Sequence, residues 1–158
     1  MKLDREDIGR LYRQQGRGLI AYACSFGRGF AAAEDIVHHV FVRLLNGQVT
    51  INGSPAPYLY RAVRNVELDD RRNHSRNVEL DDAWLQGPPG MESMALVIES
   101  ALRALPPEQR EVITLRIWGQ MTFEEIAVTI GIPLKTAESR YRYGLLKLRE
   151  EFRPVTKG

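Results

Sequence analysis

Cysteine is almost missing from this 158-residue chain: Cys24 stands alone, so no disulfide can close within it, and no Cys/His group has zinc-site spacing. A reducing cytoplasm is the expected compartment. Long apolar runs are missing too. The longest useful one, Leu19 to Phe26, falls far short of the ~20 residues that a membrane-spanning helix needs. Met1-Lys2-Leu3-Asp4 leads into charge rather than into a signal-peptide core, so neither export nor membrane insertion is expected. Charge of one sign is not in excess, since 22 Lys and Arg against 20 Asp and Glu leave +2. Any nucleic-acid contact must therefore rest on where the charges sit. There is no phosphate-binding glycine loop, nucleophile elbow or metal-binding helix motif, so no enzyme, catalytic residue, cofactor or metal is expected.

Helical periodicity fills most of the chain, and no sustained period-two run appears, so the fold is expected to be all-α. Asp4 is placed to cap a first helix carrying Ile8, Leu11, Leu19, Ile20 and Ala23, which ends at Gly27 and Gly29. A second helix spans Ala32 to Leu45. There Ile36, Val37, Val40, Phe41, Leu44 and Leu45 form one apolar stripe, with Glu34, Asp35, His38, His39 and Arg43 on the remaining surface. Neighbouring residues on a helix point about 100° apart, so His38 and His39 do not make a chelating pair. Cys24, in an apolar segment, reads as a small core residue. A third helix begins near Pro57 and ends in the polar run Asp69 to Arg76. The segment Arg64 to Asp70 then recurs as Arg76 to Asp82, too few copies for a solenoid.

Residues 77–93 are acidic and then rich in proline and glycine, which predicts a flexible linker between two small helical domains at about 1–76 and 94–158. The second half carries a helix from about Met94 to Leu105 and, after Pro106-Pro107, another with Val112, Ile113, Leu115 and Ile117. Thr122-Phe123-Glu124-Glu125 is a capping box, Gly131 turns the chain, and Pro133 opens a last helix reaching about Phe152.

That final pair has the helix-turn-helix arrangement. Ala137, Tyr141, Leu145, Leu148 and Phe152 form its buried stripe, which leaves Lys135, Thr136, Glu138, Ser139, Arg142 and Tyr143 for a DNA major groove, with a plain solvated face as the lesser alternative. The third helix is a second candidate. Arg61, Arg64, Arg71, Arg72 and Arg76 accompany Tyr58, Tyr60 and Asn65, a mixture that suits an unpaired strand unless the tyrosines are core.

Several segments together resemble the sigma-70 family of bacterial transcription initiation factors, in particular its short two-domain extracytoplasmic function (ECF) group. Ala33 to Leu44 is similar to region 2.2. Tyr58 to Asn65, with Asp69 and Arg72, resembles regions 2.3 and 2.4; Leu105 to Val112 and Glu124 to Ala127 resemble region 4, and Thr136 to Tyr143 its recognition helix. The resemblance implies docking on core RNA polymerase by Glu34, Asp35, Ile36, His38, His39, Val40 and Phe41. It implies capture of the melted minus-ten strand by Tyr58, Tyr60, Arg61, Arg64, Asn65, Arg71 and Arg72. Lys135, Thr136, Glu138, Ser139, Arg140, Arg142 and Tyr143 would read minus-thirty-five duplex DNA. Core polymerase, promoter DNA and an anti-sigma protein are thus the expected partners. His38 and His39 stand where the family often has Gln and an acidic residue, and Glu138 where a basic one is common. The alternative from a different class is a free-standing helix-turn-helix repressor or activator.

Overall fold

The computed structural model describes residues 3–27, 29–47, 49–73 and 102–151; the expected linker at 77–93, the second copy of the repeat and most of the Met94 to Leu105 helix lie outside them. Six helices are delimited among the described residues, in order α1 (Arg5–Cys24), α2 (Phe30–Leu45), α3 (Pro55–Asn73), α4 (Pro107–Ile117), α5 (Phe123–Ile130) and α6 (Leu134–Glu151). No strand occurs among the described residues.

Local chemistry sets the helix ends. The Asp7 N–H donates to Asp4 Oδ1 at 2.8 Å and the Asp4 N–H donates back to Asp7 Oδ2 at 3.2 Å, closing a capping box at the start of α1. Thr122 and Glu125 repeat the device at α5, with bonds of 3.1 and 2.9 Å. Gly131 ends α5 with φ at 70°, a left-handed conformation that costs glycine nothing and lets the chain turn sharply into α6. Pro107 begins α4, where its missing N–H would have had no helical partner.

The first three helices bundle around Leu19, Val37, Val40, Leu59 and Val63, and full burial of side chains like these contributes roughly 1.5–3 kcal/mol each. On α4 four successive residues, Val112 to Leu115, are buried, which a helix with one wet face cannot do. The reason is that α4 is covered from two directions, by α6 and by α1. Val112 and Leu115, together with Met121, Ile126 and Ala137, belong to the same apolar cluster as Leu19, Tyr22 and Leu59. A smaller cluster of Leu102, Leu105 and Ile113 packs beneath Trp118, Tyr141 and Leu148. The two halves, legible in the sequence as separate helical units, therefore close on one another through a common interior.

Two expected core positions come out differently. Leu45 is 50% exposed and Ile117 48%. Leu44 takes the buried position at the end of α2, and the next residue is rotated about 100° out of the stripe. On α4, Ile113 and Leu115 point inward, and Ile117, at the last turn, emerges into solvent.

Candidate functional site

Three surfaces hold the residues singled out in the sequence. The first is the outer face of α2. Asp35, His38 and His39 are exposed there beside Val42 and Leu45, while Ile36, Val40 and Phe41 face inward and hold the helix on its own bundle. The Phe41 ring meets Tyr12 edge-on at 5.1 Å, and the Tyr12 hydroxyl lies 2.8 Å from His38 Nε2. Burial and then the nearby Glu34 carboxylate push the Tyr12 hydroxyl above its usual pKa, which keeps it protonated and able to donate. Sequence reasoning left out Val42 and Leu45, the two apolar groups that this face actually presents.

The second surface lies between α2 and α3. A cavity of about 170 Å³ is lined by Tyr58, Arg61, Asn65 and Asp69 of α3 and by Arg43 of α2, over Val40 and Val66. Positions 58, 61, 65 and 69 recur at helical spacing, so they share one face of α3. Arg43 and Asp69 were not among the expected site residues. The wall offers an aromatic ring, an amide, guanidinium groups and a carboxylate, which together can stack on a flat heterocycle and hydrogen-bond its edge.

Tyr60 and Arg64 take the opposite face. Tyr60 is fully buried, its ring 5.4 Å from that of Tyr22 and its hydroxyl packed where any Cβ on Gly18 would stand. In this arrangement it has no face to offer a base; residues two apart on a helix point about 200° from each other, so Tyr58 and Tyr60 cannot both look outward. Arg64 Nε donates to Glu111 Oε2 at 2.9 Å, and the Tyr22 hydroxyl donates to the same oxygen at 2.5 Å. The side chains of Arg71 and Arg72 lie outside the described residues.

The third surface is α6, seated on α4 and α5. Lys135, Glu138, Arg142 and Tyr143 are exposed, and Thr136, Ser139 and Arg140 are half-buried. The Arg142 guanidinium stands 5.5 Å over the Tyr143 ring. Phe123 fixes α5 against α6, meeting Tyr141 edge-on at 5.2 Å with Arg116 above its own ring. Arg61 Nη2 donates to the Val128 carbonyl at 2.8 Å, and Arg110 Nη1 to the Ser25 carbonyl at 3.2 Å, so α5 and α4 are tied to the first bundle.

Burial at this junction has a pH signature. It lifts the Tyr22 hydroxyl well above the ordinary tyrosine value, with Glu111 adding to the shift, raises that of Tyr60, and pushes the Cys24 thiol up to about 12, with Glu67 as the lesser cause. In the unfolded chain these groups would ionise from about 9 for the thiol and about 10 for the tyrosines. Their contribution to stability is whole below those values and is lost as the pH climbs past them. The melting temperature should therefore hold level to about pH 9 and fall above it. Absorbance of tyrosinate from two of the six tyrosines should appear only with unfolding. Full tyrosine ionisation with the helices intact would contradict this.

A family model described as Sigma-70 region 2 matches residues 11–77, and one described as Sigma-70, region 4 matches residues 95–148. The RNA polymerase sigma-E factor of Streptomyces antibioticus is 34% identical over 131 residues, 83% of this chain and 66% of that protein. The ECF RNA polymerase sigma factor SigE of Mycolicibacterium smegmatis is 29% identical, over 94% of this chain and 60% of that protein. The chain thus spans less than two thirds of the length of these two relatives. It covers 85% of the ECF RNA polymerase sigma factor SigL of Mycobacterium tuberculosis, to which it is 30% identical over 150 residues. Among solved structures, the sigma factor RpoE from Bartonella quintana, in complex with the anti-sigma factor NepR, superposes with a TM-score of 0.71 at 21% identity, over 96% of this chain and 99% of that one. CnrH, in complex with the cytosolic domain of CnrY, gives 0.68 at 24% identity, over 94% and 89%. At such identities the structural likeness speaks for the fold alone.

Proposed function

The chain belongs to the sigma-70 family, and on that premise we propose that it binds core RNA polymerase and directs it to specific promoters. It works by binding rather than catalysis, in the bacterial cytoplasm where polymerase acts. Residues 1–76 serve as region 2 and residues 94–158 as region 4, joined by 77–93. The outer face of α2 docks on polymerase through Asp35, His38 and His39 around Val42 and Leu45. The cavity between α2 and α3 receives an unstacked base of the minus-ten strand, with Tyr58 stacking and Asn65, Arg61 and Asp69 supplying hydrogen bonds. The exposed half of α6 reads minus-thirty-five duplex DNA. An anti-sigma protein is a further partner, since the solved RpoE of Bartonella quintana is in complex with the anti-sigma factor NepR.

The observation that carries the reading is the order of these surfaces along one chain: an exposed face of α2, a cavity lined by Tyr58, Arg61 and Asn65, and a capped helix-turn-helix. A near-neutral net charge suits it, because a large protein interface supplies binding energy that a free-standing DNA reader must draw from phosphates. The test is co-elution of the purified chain with core polymerase in the absence of DNA. A stoichiometric complex supports the proposal. No complex, with tight specific duplex binding by the chain alone, would put the free-standing repressor in its place. Asp35 is exposed on α2, so Asp35→Arg should weaken core affinity about fivefold by reversing a rim charge, with the melting temperature unmoved. Unchanged core affinity would remove Asp35 from the interface.

A further inference from the structure

From Leu134 to Arg149, α6 carries the bases Lys135, Arg140, Arg142, Lys147 and Arg149 and a single acid, Glu138. Glu138 is exposed, on a stripe that it shares with Lys135 and Arg142 at spacings of three and four residues. Another side of the helix seats it on α4 and α5: Ala137 is fully buried, Tyr141 packs on Phe123, and a Cβ at Gly144 would strike Ile113. Arg142 lies one turn beyond Glu138, in the order that favours an ion pair along a helix. The pair does not form. The Arg142 guanidinium stands over the Tyr143 ring instead, and the Glu138 carboxylate has no hydrogen bond or ion pair among the described residues. Nor does the helix dipole hold this acid, since that effect fades within the first turn and the first turn of α6 contains no acid.

An acid on a surface that approaches duplex DNA is repelled by the phosphates and gives up its water. Only a hydrogen-bond donor in the groove offsets that cost. The major groove offers two, the N4 amine of cytosine and the N6 amine of adenine, whereas guanine and thymine present acceptor oxygens. Adenine sets its N7 acceptor beside the amine, and an ionised carboxylate has no proton to give it. Cytosine presents the amine without that neighbour. We infer that Glu138 is a specificity-determining residue that accepts from N4 of a cytosine, so that the duplex read by α6 must carry cytosine at one position. The inference rests on the reading of α6 as the minus-thirty-five helix. It works by exclusion as much as by attraction, because guanine or thymine at that position would set an oxygen against a carboxylate already stripped of water. Lys135 and Arg142 flank the acid at about 5 to 6 Å along the helix axis, close enough to hold α6 against the phosphates while Glu138 meets the base.

The experiment selects duplex oligonucleotides, randomised over the minus-thirty-five segment, with the full chain alone and with core polymerase added, and sequences the bound pool. The parent should enrich cytosine about tenfold over guanine and thymine at one position. Glu138→Ala should flatten that position and leave the others as they were, while affinity for a random duplex rises because an acid has been taken away from the phosphates. Glu138→Gln should move the preference to adenine, since an amide bonds both N6 and N7. Glu150→Ala makes the same charge change at an exposed site near the far end of α6 and should leave every base preference unaltered. Circular dichroism checks the helix content of each variant. Loss of the cytosine preference in Glu150→Ala as well would overturn the inference. So would an adenine preference in the parent, or no base preference with or without polymerase. If polymerase binds and sequences are selected, but Glu138→Ala changes no position, the role of Glu138 falls and the sigma-factor reading stands. If polymerase never binds, while the chain alone selects cytosine through Glu138, the residue keeps its role and the sigma-factor reading falls.

Discussion

Gly18→Ala should destabilise the chain by about 1–3 kcal/mol, the usual cost of overpacking a close contact, whereas Gly16→Ala, two residues earlier, should stabilise it by up to about 1 kcal/mol. The opposite signs come from what each Cβ would meet. At Gly16 the nearest atoms are those of the Tyr12 ring at 3.8 Å, an ordinary contact, so the gain in helix propensity is kept. At Gly18 a Cβ would stand 2.2 Å from the Tyr60 hydroxyl and 2.8 Å from the Trp118 carbonyl oxygen. Tyr60 is locked by burial and Trp118 by backbone, so neither yields easily. The Trp118 contact also crosses between the two units, so part of the strain is relieved by parting them. The measurement is a pair of urea titrations with scattering at zero urea. Stabilisation by both alanines would show that α1 and α4 do not approach as closely as described.

Arg142→Ala should lower transcript yield from a cognate promoter about tenfold while core binding and melting temperature stay at the parental level. Arg142 is exposed on α6 and its guanidinium lies over the Tyr143 ring, an arrangement that limits the positions the side chain visits before DNA arrives. Loss of one bidentate base contact is worth roughly 1–3 kcal/mol, whereas a surface substitution of this kind leaves stability within about 0.5 kcal/mol. Arg142→Lys separates the two roles open to this residue. A lysine retains a phosphate contact but not the planar fork that matches guanine, so near-parental activity in Arg142→Lys would assign the residue to phosphate, and a loss as deep as that of alanine to a base. Equal yield from Arg142→Ala and parent would remove it from the DNA surface.

What could be read in advance was what depends on residues close in sequence. Asp4 and Thr122-x-x-Glu125 announce helix starts because a cap needs only residues of its own first turn, and Gly131 announces a turn because its conformation is its own. The stripe on α2 and the helix-turn-helix followed from the same local regularity. What escaped was decided by partners far along the chain. Arg64 looked like a free cation until Glu111 was brought to it, and Tyr60 looked like a partner for Tyr58 until Tyr22 and Gly18 closed around it. Leu45 needed the helix phase resolved to a single residue. Arg43 and Asp69 joined the cavity only once α2 and α3 were laid side by side.

The interior common to both halves has a calorimetric consequence. Pulling α4 and α5 away from α1 and α3 would wet Val112, Leu115 and Met121 along with the residues they cover. Hydration of apolar surface raises the heat capacity, so parting the two units carries a positive heat-capacity change and an enthalpy that varies with temperature. Contacts of this kind also weaken on cooling. A chain held shut by such an interior loosens in the cold, and the free energy needed to part its two halves shrinks on cooling.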